Sequence, residues 1–308
     1  MLKYVILTVC SFQFIVVSAK ISCKDDDGND VDWFIISKYP KIPKYSANGL
    51  VNEGLAYYYF DPSVQNGRLS TVGINSTNNA LAKTLNQILN NHDSEKVAYL
   101  MYNDSPPNDT RVPSRKGHTK GVVCLDEACG FWLIHSVRLF PKSSEGEYSW
   151  PNNANSLGQS LICVSAKVPD GSFKQIMTAL QYNCPNIYNS HVPQVIKEAV
   201  EGLESVADGH CEDSKERCKY HAEIETQGGV TIDIFAKSAK FNADIYSDFI
   251  APHFESNMYA ETWQKGSAEN LKSFCKGYKV ENVRSLTLPG DVNFKSTKDH
   301  SKWAVTTT

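Results

Sequence analysis

The sequence has no basic excess. Its formal net charge is -3, so it does not advertise the broad positive surface that usually accompanies polyanion binding. Protonating all eight histidines would add eight positive charges to that -3 and give +5, so an acidic compartment would reverse the sign. Beyond residue 19 there is no apolar run near the roughly 20 residues that a membrane-spanning helix needs, and a soluble mature protein is expected. Neither C-x-x-C nor H-x-x-x-H occurs, which removes the tight ligand spacings of common zinc sites. Short-period repeats and low-complexity tracts are also missing, which excludes solenoid and disordered classes.

What is there begins with "MLKYVILTVCSFQFIVVSA". Lys3 precedes an apolar stretch, and Val17, Ser18 and Ala19 form a small-residue cleavage pattern, so residues 1–19 are expected to be a secretory signal cut after Ala19. Ser11, Gln13 and Ser18 interrupt the stretch and argue against an anchor. Of nine cysteines, Cys10 lies in the signal; Cys23, Cys124, Cys129, Cys163, Cys184, Cys211, Cys218 and Cys275 remain. An oxidising compartment implies disulfides among them, with no pairing readable from sequence. Cys124 and Cys129, five apart, are expected to be partners or halves of different bridges. Asn75, Asn103 and Asn108 each open an N-x-S/T sequon, expected to be glycosylated surface loops in a secreted chain.

The mature length suffices for one large domain or two smaller ones. Strand patterns over 31–41, 54–62 and 96–104 alternate with a helical stripe over 78–91, in which Leu81, Leu85, Ile88 and Leu89 share a face. Two further strands, "TKGVVCL" and "FWLIHSV", flank a turn-like "DEACG". A strand over 158–166, helices over 173–183 and 192–203, a charged cysteine-bearing loop over 207–219 and a strand over 230–238 follow. The chain closes with "SLTLPG" and "HSKWAV".

One short pattern recurs in each half. "KGHTKGVV" contains His118 and Lys120, and "DHSKWAV" contains His300 and Lys302. On a strand, positions i and i+2 share a face, so each pair would present an imidazole beside an ammonium. By composition about 0.6 such triplets are expected by chance, so the motif alone carries little. Its chemistry nevertheless suits phosphodiester cleavage. One imidazole attacks phosphorus, a second protonates the departing oxygen, and two lysines neutralise the equatorial oxygens of the transition state. Such a site needs neither a metal nor another cofactor. A solvated edge-strand pair is the plainer reading of either motif taken alone.

Ordered blocks along nearly the whole mature chain decide between them: "VDWFIISKYP", "VAYLMYNDSPP", "GHTKGVV", "GFWLIHSVRLFP", "YSWP", "GQSLICVS", "FAKSAKF", "DIYSDFIA", "ETWQKG" and "FKSTKDHSKW". In these the sequence resembles the deoxyribonuclease II family of the phospholipase D superfamily. The resemblance implies an α/β fold of two pseudo-symmetric halves, each giving one H-x-K to a shared site. The expected organisation is a signal over 1–19, an amino-terminal half over 20–165 and a carboxyl-terminal half over 166–308. The chain stops soon after the second motif, and Ala304 stands where the family commonly has a cysteine, so that second half is expected to be incomplete.

The same resemblance implies that the site residues are His118, Lys120, His300 and Lys302, joined by His135. Of these, His118 is expected to attack and His300 to donate the proton. Asp299 would face away from His300 on a strand, and neither it nor Asp126 is assigned a catalytic part. The implied activity is endonucleolytic hydrolysis of DNA in acid without divalent cations, leaving 3'-phosphate ends, in a lysosome or after secretion. A non-enzymatic secreted relative that binds nucleic acid or a host partner is the rival expectation.

Overall fold

The computed structural model describes residues 20–44, 48–107, 114–142, 144–265 and 271–307. The expected signal over 1–19 and the Asn108 sequon lie outside them. The amino-terminal part opens with a two-stranded ribbon, β1 (Cys23–Lys24) and β2 (Asp30–Val31). Strands β3 (Trp33–Lys38), β4 (Tyr57–Phe60), β5 (Arg68–Leu69), β6 (Ala98–Asn103), β7 (Lys120–Leu125), β8 (Cys129–His135), β9 (Gln159–Lys167) and β10 (Ile187–His191) then build one sheet. Its order is β10-β6-β7-β8-β9-β3-β4-β5, with every neighbouring pair antiparallel.

The central strands are buried on both faces, which explains their nearly continuous apolar sequences. In β6, Tyr99 and Met101 enter the core on one side, whereas Ala98, Leu100 and Tyr102 enter it on the other. On the first side the core includes helix α2 (Ala80–Leu89), whose Leu81, Leu85 and Ile88 are almost wholly buried. Asn79 caps that helix by accepting from the Ala82 amide at 2.9 Å. The short α1 (Gly49–Glu53) lies earlier in the chain. The second side holds α3 (Ser172–Asn183), which contributes Phe173, Ile176, Met177 and Leu180. Each fully buried side chain of this size contributes about 1.5–3 kcal/mol.

The expected helix over 192–203 divides into α4 (Gln194–Ala199) and α5 (Leu203–Ala207), because Val200 turns extended and Gly202 is left-handed at φ 88°. Beyond these lie a hairpin, β11 (Lys219–Glu225) with β12 (Thr231–Lys237), and the turn of α6 (Ala251–His253). Next come β13 (Asn257–Glu261), β14 (Val280–Asn282), the ribbon β15 (Ser285–Leu288) with β16 (Val292–Lys295), and β17 (Trp303–Thr307). Strands β14, β13 and β17 form a three-stranded sheet. The mixed α/β class agrees with expectation. Among the described residues the large sheet draws seven strands from residues up to Lys167 and takes β10 from beyond, whereas the later chain forms sheets of two and three strands.

Disulfides join Cys23 to Cys163 and Cys184 to Cys211. Cys124 and Cys129 correct the expectation that they are bridged, for both are free and buried. Cys124 faces Phe131 across the β7–β8 ladder while Cys129 lies opposite Lys167. Asn103 also departs from its expected role. Its side chain is fully buried, and its Nδ2 donates to the carbonyls of Val137 at 3.0 Å and Phe140 at 2.9 Å. A glycan on that nitrogen would break both bonds and has no room in the folded chain. Asn75, by contrast, is exposed.

Candidate active site

Five neighbouring strands end or begin at one edge of the large sheet. In the ladder Asn103 lies opposite Lys120, Gly121 opposite Ile134, His135 opposite Leu161, and Lys38 opposite Gln159. The sheet therefore collects Asp104, Lys120, His135, Gln159 and Lys38 at the same end, although they are scattered over more than a hundred positions of sequence.

His118 sits just before β7 rather than on it, and Lys120 is the strand's first residue. The flanking glycines are required by close approach. A Cβ on Gly117 would come within 1.9 Å of the Asn183 carbonyl oxygen, and one on Gly121 within 2.3 Å of the Tyr102 hydroxyl. Both candidate side chains converge on Asp104, which no motif singled out. Its Oδ2 lies 2.5 Å from His118 Nδ1, and its Oδ1 pairs with Lys120 Nζ. A carboxylate only accepts, so Nδ1 carries a proton and Nε2 is the free nitrogen of a neutral His118. The His118 side chain is 60% exposed and that of Lys120 is 3% exposed, so the imidazole faces solvent above a buried ammonium. Burial opposes ionisation of Asp104, but the hydrogen bonds from His118 and Lys120 and the Lys120 charge outweigh it and hold the carboxyl well below the usual range. Desolvation lowers the Lys120 ammonium despite that partner.

The second motif likewise precedes its strand, β17, and is stitched to the edge of the large sheet. The Gly158 amide donates to Lys298 O at 2.8 Å, the His300 amide to Gly158 O at 2.9 Å, and the Lys302 amide to Ser160 Oγ at 3.2 Å. His300 is buried; its Nδ1 donates to Ser136 O at 2.9 Å, with Gln159 Oε1 at 3.3 Å. Burial and then the charges of Lys302 and Lys120 push its pKa down to about 4. Partial desolvation and repulsion by Lys120 bring Lys302 down to about 8. Because His300 feels Lys120 and His118 as well as Lys302, the two motifs lie within electrostatic reach of each other.

His135 ends β8, buried; its Nδ1 accepts from the Val137 amide at 3.2 Å, which assigns the remaining proton to Nε2. That Nε2 has no hydrogen-bond partner. Burial and the Lys120 charge push its pKa down to about 3.

Other residues here carried no motif signal. The Trp263 ring meets the His300 imidazole edge-on at 4.3 Å, and the Trp263 amide donates to Glu261 Oε1 at 2.7 Å. Burial pushes the Glu261 carboxyl up to about 7. Lys38, buried, donates to the carbonyls of Ala154, Asn155 and Leu157 at 2.6–3.0 Å. Asp104 lies within the block "VAYLMYNDSPP", one residue beyond a wholly buried strand, but no chemical pattern marked it there. Asp126 lies at the other end of β7, where it shapes the β7–β8 turn by accepting from the Ala128 and Cys129 amides.

His118 also stands at one rim of a groove of about 1920 Å³. Arg115, Lys116, Lys237, Lys240 and Lys272 line it, interspersed with acidic residues.

The chain is 36% identical over its whole length to plancitoxin-1 of Acanthaster planci, covering 85% of that protein. It is 37% identical to deoxyribonuclease-2-alpha of Sus scrofa, over 92% of this chain and 78% of that one. With deoxyribonuclease-2 of Caenorhabditis elegans the identity is 33%, over 93% and 81%. The family model described as deoxyribonuclease II matches residues 22–308, and the chain belongs to the deoxyribonuclease II family.

Proposed function

We propose that the protein is an endonuclease that hydrolyses DNA in acid without a divalent cation, leaving 3'-phosphate ends, in a lysosome or after secretion. The observation that carries this reading is the Asp104 carboxylate, which grips His118 Nδ1 and Lys120 Nζ together. It fixes the tautomer in which Nε2 holds a lone pair, as an attacking imidazole requires.

In the proposed sequence, Nε2 of His118 attacks the scissile phosphorus. The bond from phosphorus to the 5'-oxygen breaks, and that oxygen takes a proton from Nε2 of His300 to become a 5'-hydroxyl. The phosphoryl group, still on the 3'-oxygen, is then held covalently by His118. Water next gives a proton to His300 and attacks phosphorus, which releases the 3'-phosphate end and regenerates His118. Lys120 and Lys302 face the charge on the equatorial oxygens. His135 feels the charges of Lys120 and Asp104 and is the fifth member of the cluster. The low proton affinity of His300 in the free site makes acid the condition in which it can serve as donor, and a bound phosphate would raise that affinity.

Nicking of supercoiled plasmid near pH 5 in excess EDTA, by wild type, His118→Ala and His300→Ala, tests the proposal. Cleavage by wild type alone is expected. Equal cleavage by all three overturns the assigned roles, and no cleavage by a folded wild-type sample favours the non-enzymatic rival.

A further inference from the structure

A second cluster of chemically capable side chains lies outside the nuclease centre. His221 on β11 and Asp233 on β12 are diagonal neighbours in the hairpin, which pairs His221 with Phe235 and Glu223 with Asp233. They share the face opposite Ile224, Ile234 and Ala236, which pack into the core with α3. His253, from α6, closes over that face.

His221 Nε2 lies 2.6 Å from Asp233 Oδ1, and His253 Nε2 lies 3.5 Å from the same oxygen. One ligand atom from each residue falls within 4.8 Å of the other two. The imidazole centroids are 4.2 Å apart. Phe235 flanks both rings, at 4.7 and 5.0 Å, and Phe254 meets His253 at 5.0 Å. The three side chains are 26–35% exposed, enough for an ion to enter and for a water to complete its shell.

We propose that His221, Asp233 and His253 bind a divalent cation of the zinc class, which fastens the β11–β12 hairpin to the segment ending in α6. Two imidazole nitrogens and one carboxylate oxygen form a donor set suited to Zn²⁺, whose tetrahedral shell uses bonds of about 2.0–2.2 Å and so separates ligands by about 3.3 Å. The observed separations reach that value with small side-chain movements, and two imidazoles drawn to one carboxylate oxygen already face a common point. Aromatic walls exclude competing water on one side and strengthen the charge interaction within. Sequence spacing concealed the set, because its members lie 12 and 20 positions apart on three elements. Phe235, beside both histidines, also lines the groove, as do Tyr246, Ser247 and Asp248 just before α6. The cation would therefore stiffen one groove wall without touching the cleaving residues.

Calorimetric titration of the purified protein with Zn²⁺ at pH 7.5 tests this, with Asp233→Asn and His221→Gln as near-isosteric variants and His118→Ala/His300→Ala to silence the nuclease centre. One equivalent is expected to bind wild type and the nuclease-centre variant alike and to raise Tm. Affinity is expected to fall about 100-fold or more in Asp233→Asn and His221→Gln, while both keep plasmid nicking in EDTA. Binding that is absent, that survives in both cluster variants, or that disappears in His118→Ala/His300→Ala overturns the proposal. So does a Tm that responds to the variants but not to Zn²⁺, since protons alone would then bridge the cluster.

Discussion

Asp104 shows how much one side chain can decide. It fixes the tautomer of His118 and neutralises the buried Lys120 in a single contact pair. Asp104→Asn keeps the shape and an acceptor oxygen but removes the charge, leaving Lys120 buried and unpaired. A fall of about 10–100-fold in kcat with little change in KM is expected from plasmid-nicking kinetics, by analogy with partners that orient a functional histidine. An unchanged kcat would remove Asp104 from the mechanism. The histidines also link stability to pH. His135 and His300 have folded values of about 3 and about 4, below the ordinary 6.5. Above 6.5 neither binds a proton in either state. As pH falls below it, the unfolded chain takes up protons that the folded chain refuses, so stability drops until the folded values are reached. For His300 the loss is about 2–3 kcal/mol by pH 4.5. Glu261 runs the other way: its folded value of about 7 lies above 4.5, so its cost is absent in acid and grows as pH rises toward 7. Urea midpoints measured at pH 6.5 and 4.5 should differ less in His135→Gln than in wild type, and an undiminished difference would show that His135 is not one of the groups responsible.

At the scale of elements, the segment over 154–158 connects the second motif to the sheet. Lys38 at the end of β3 holds it through three carbonyls, and Gly158 in turn accepts from the His300 amide. Lys38→Met leaves those carbonyls without their donor, at a cost of about 2–5 kcal/mol, and frees the segment that positions His300. Lower kcat at nearly constant KM, together with a lower Tm, is the expected result; a lower Tm with full kcat would confine Lys38 to stability. Much of this scale was legible in sequence. The stripe over 78–91 and the apolar runs of β6 to β9 report burial directly, and α2, α3 and those strands appear where they were expected. The break at Val200 and Gly202 was not legible, because the apolar pattern runs through it. That each H-x-K opens a strand was legible; which of its residues fall in the extended chain before the first strand residue was not, since alternation cannot tell the two apart. Asp104 and Gln159 escaped notice because only the sheet register brings them to the site.

For the whole molecule, the bridge between Cys23 and Cys163 closes a loop across 140 positions and ties β1 to β9 within the core. Replacing both cysteines with alanine should lower unfolding free energy by about 4–5 kcal/mol if the constraint acts on the unfolded chain, measurable by denaturant titration; a loss below about 1 kcal/mol would mean that packing alone holds β1. The docking of His300 on Ser136 spans 164 positions, and that of Lys302 on Ser160 spans 142. Contacts of such separation require the chain to close a long loop first. A partly synthesised or partly folded chain can thus assemble Asp104, His118 and Lys120 and still lack its proton donor. Under the proposed roles, cleavage waits until residues 296–302 have docked on the large sheet.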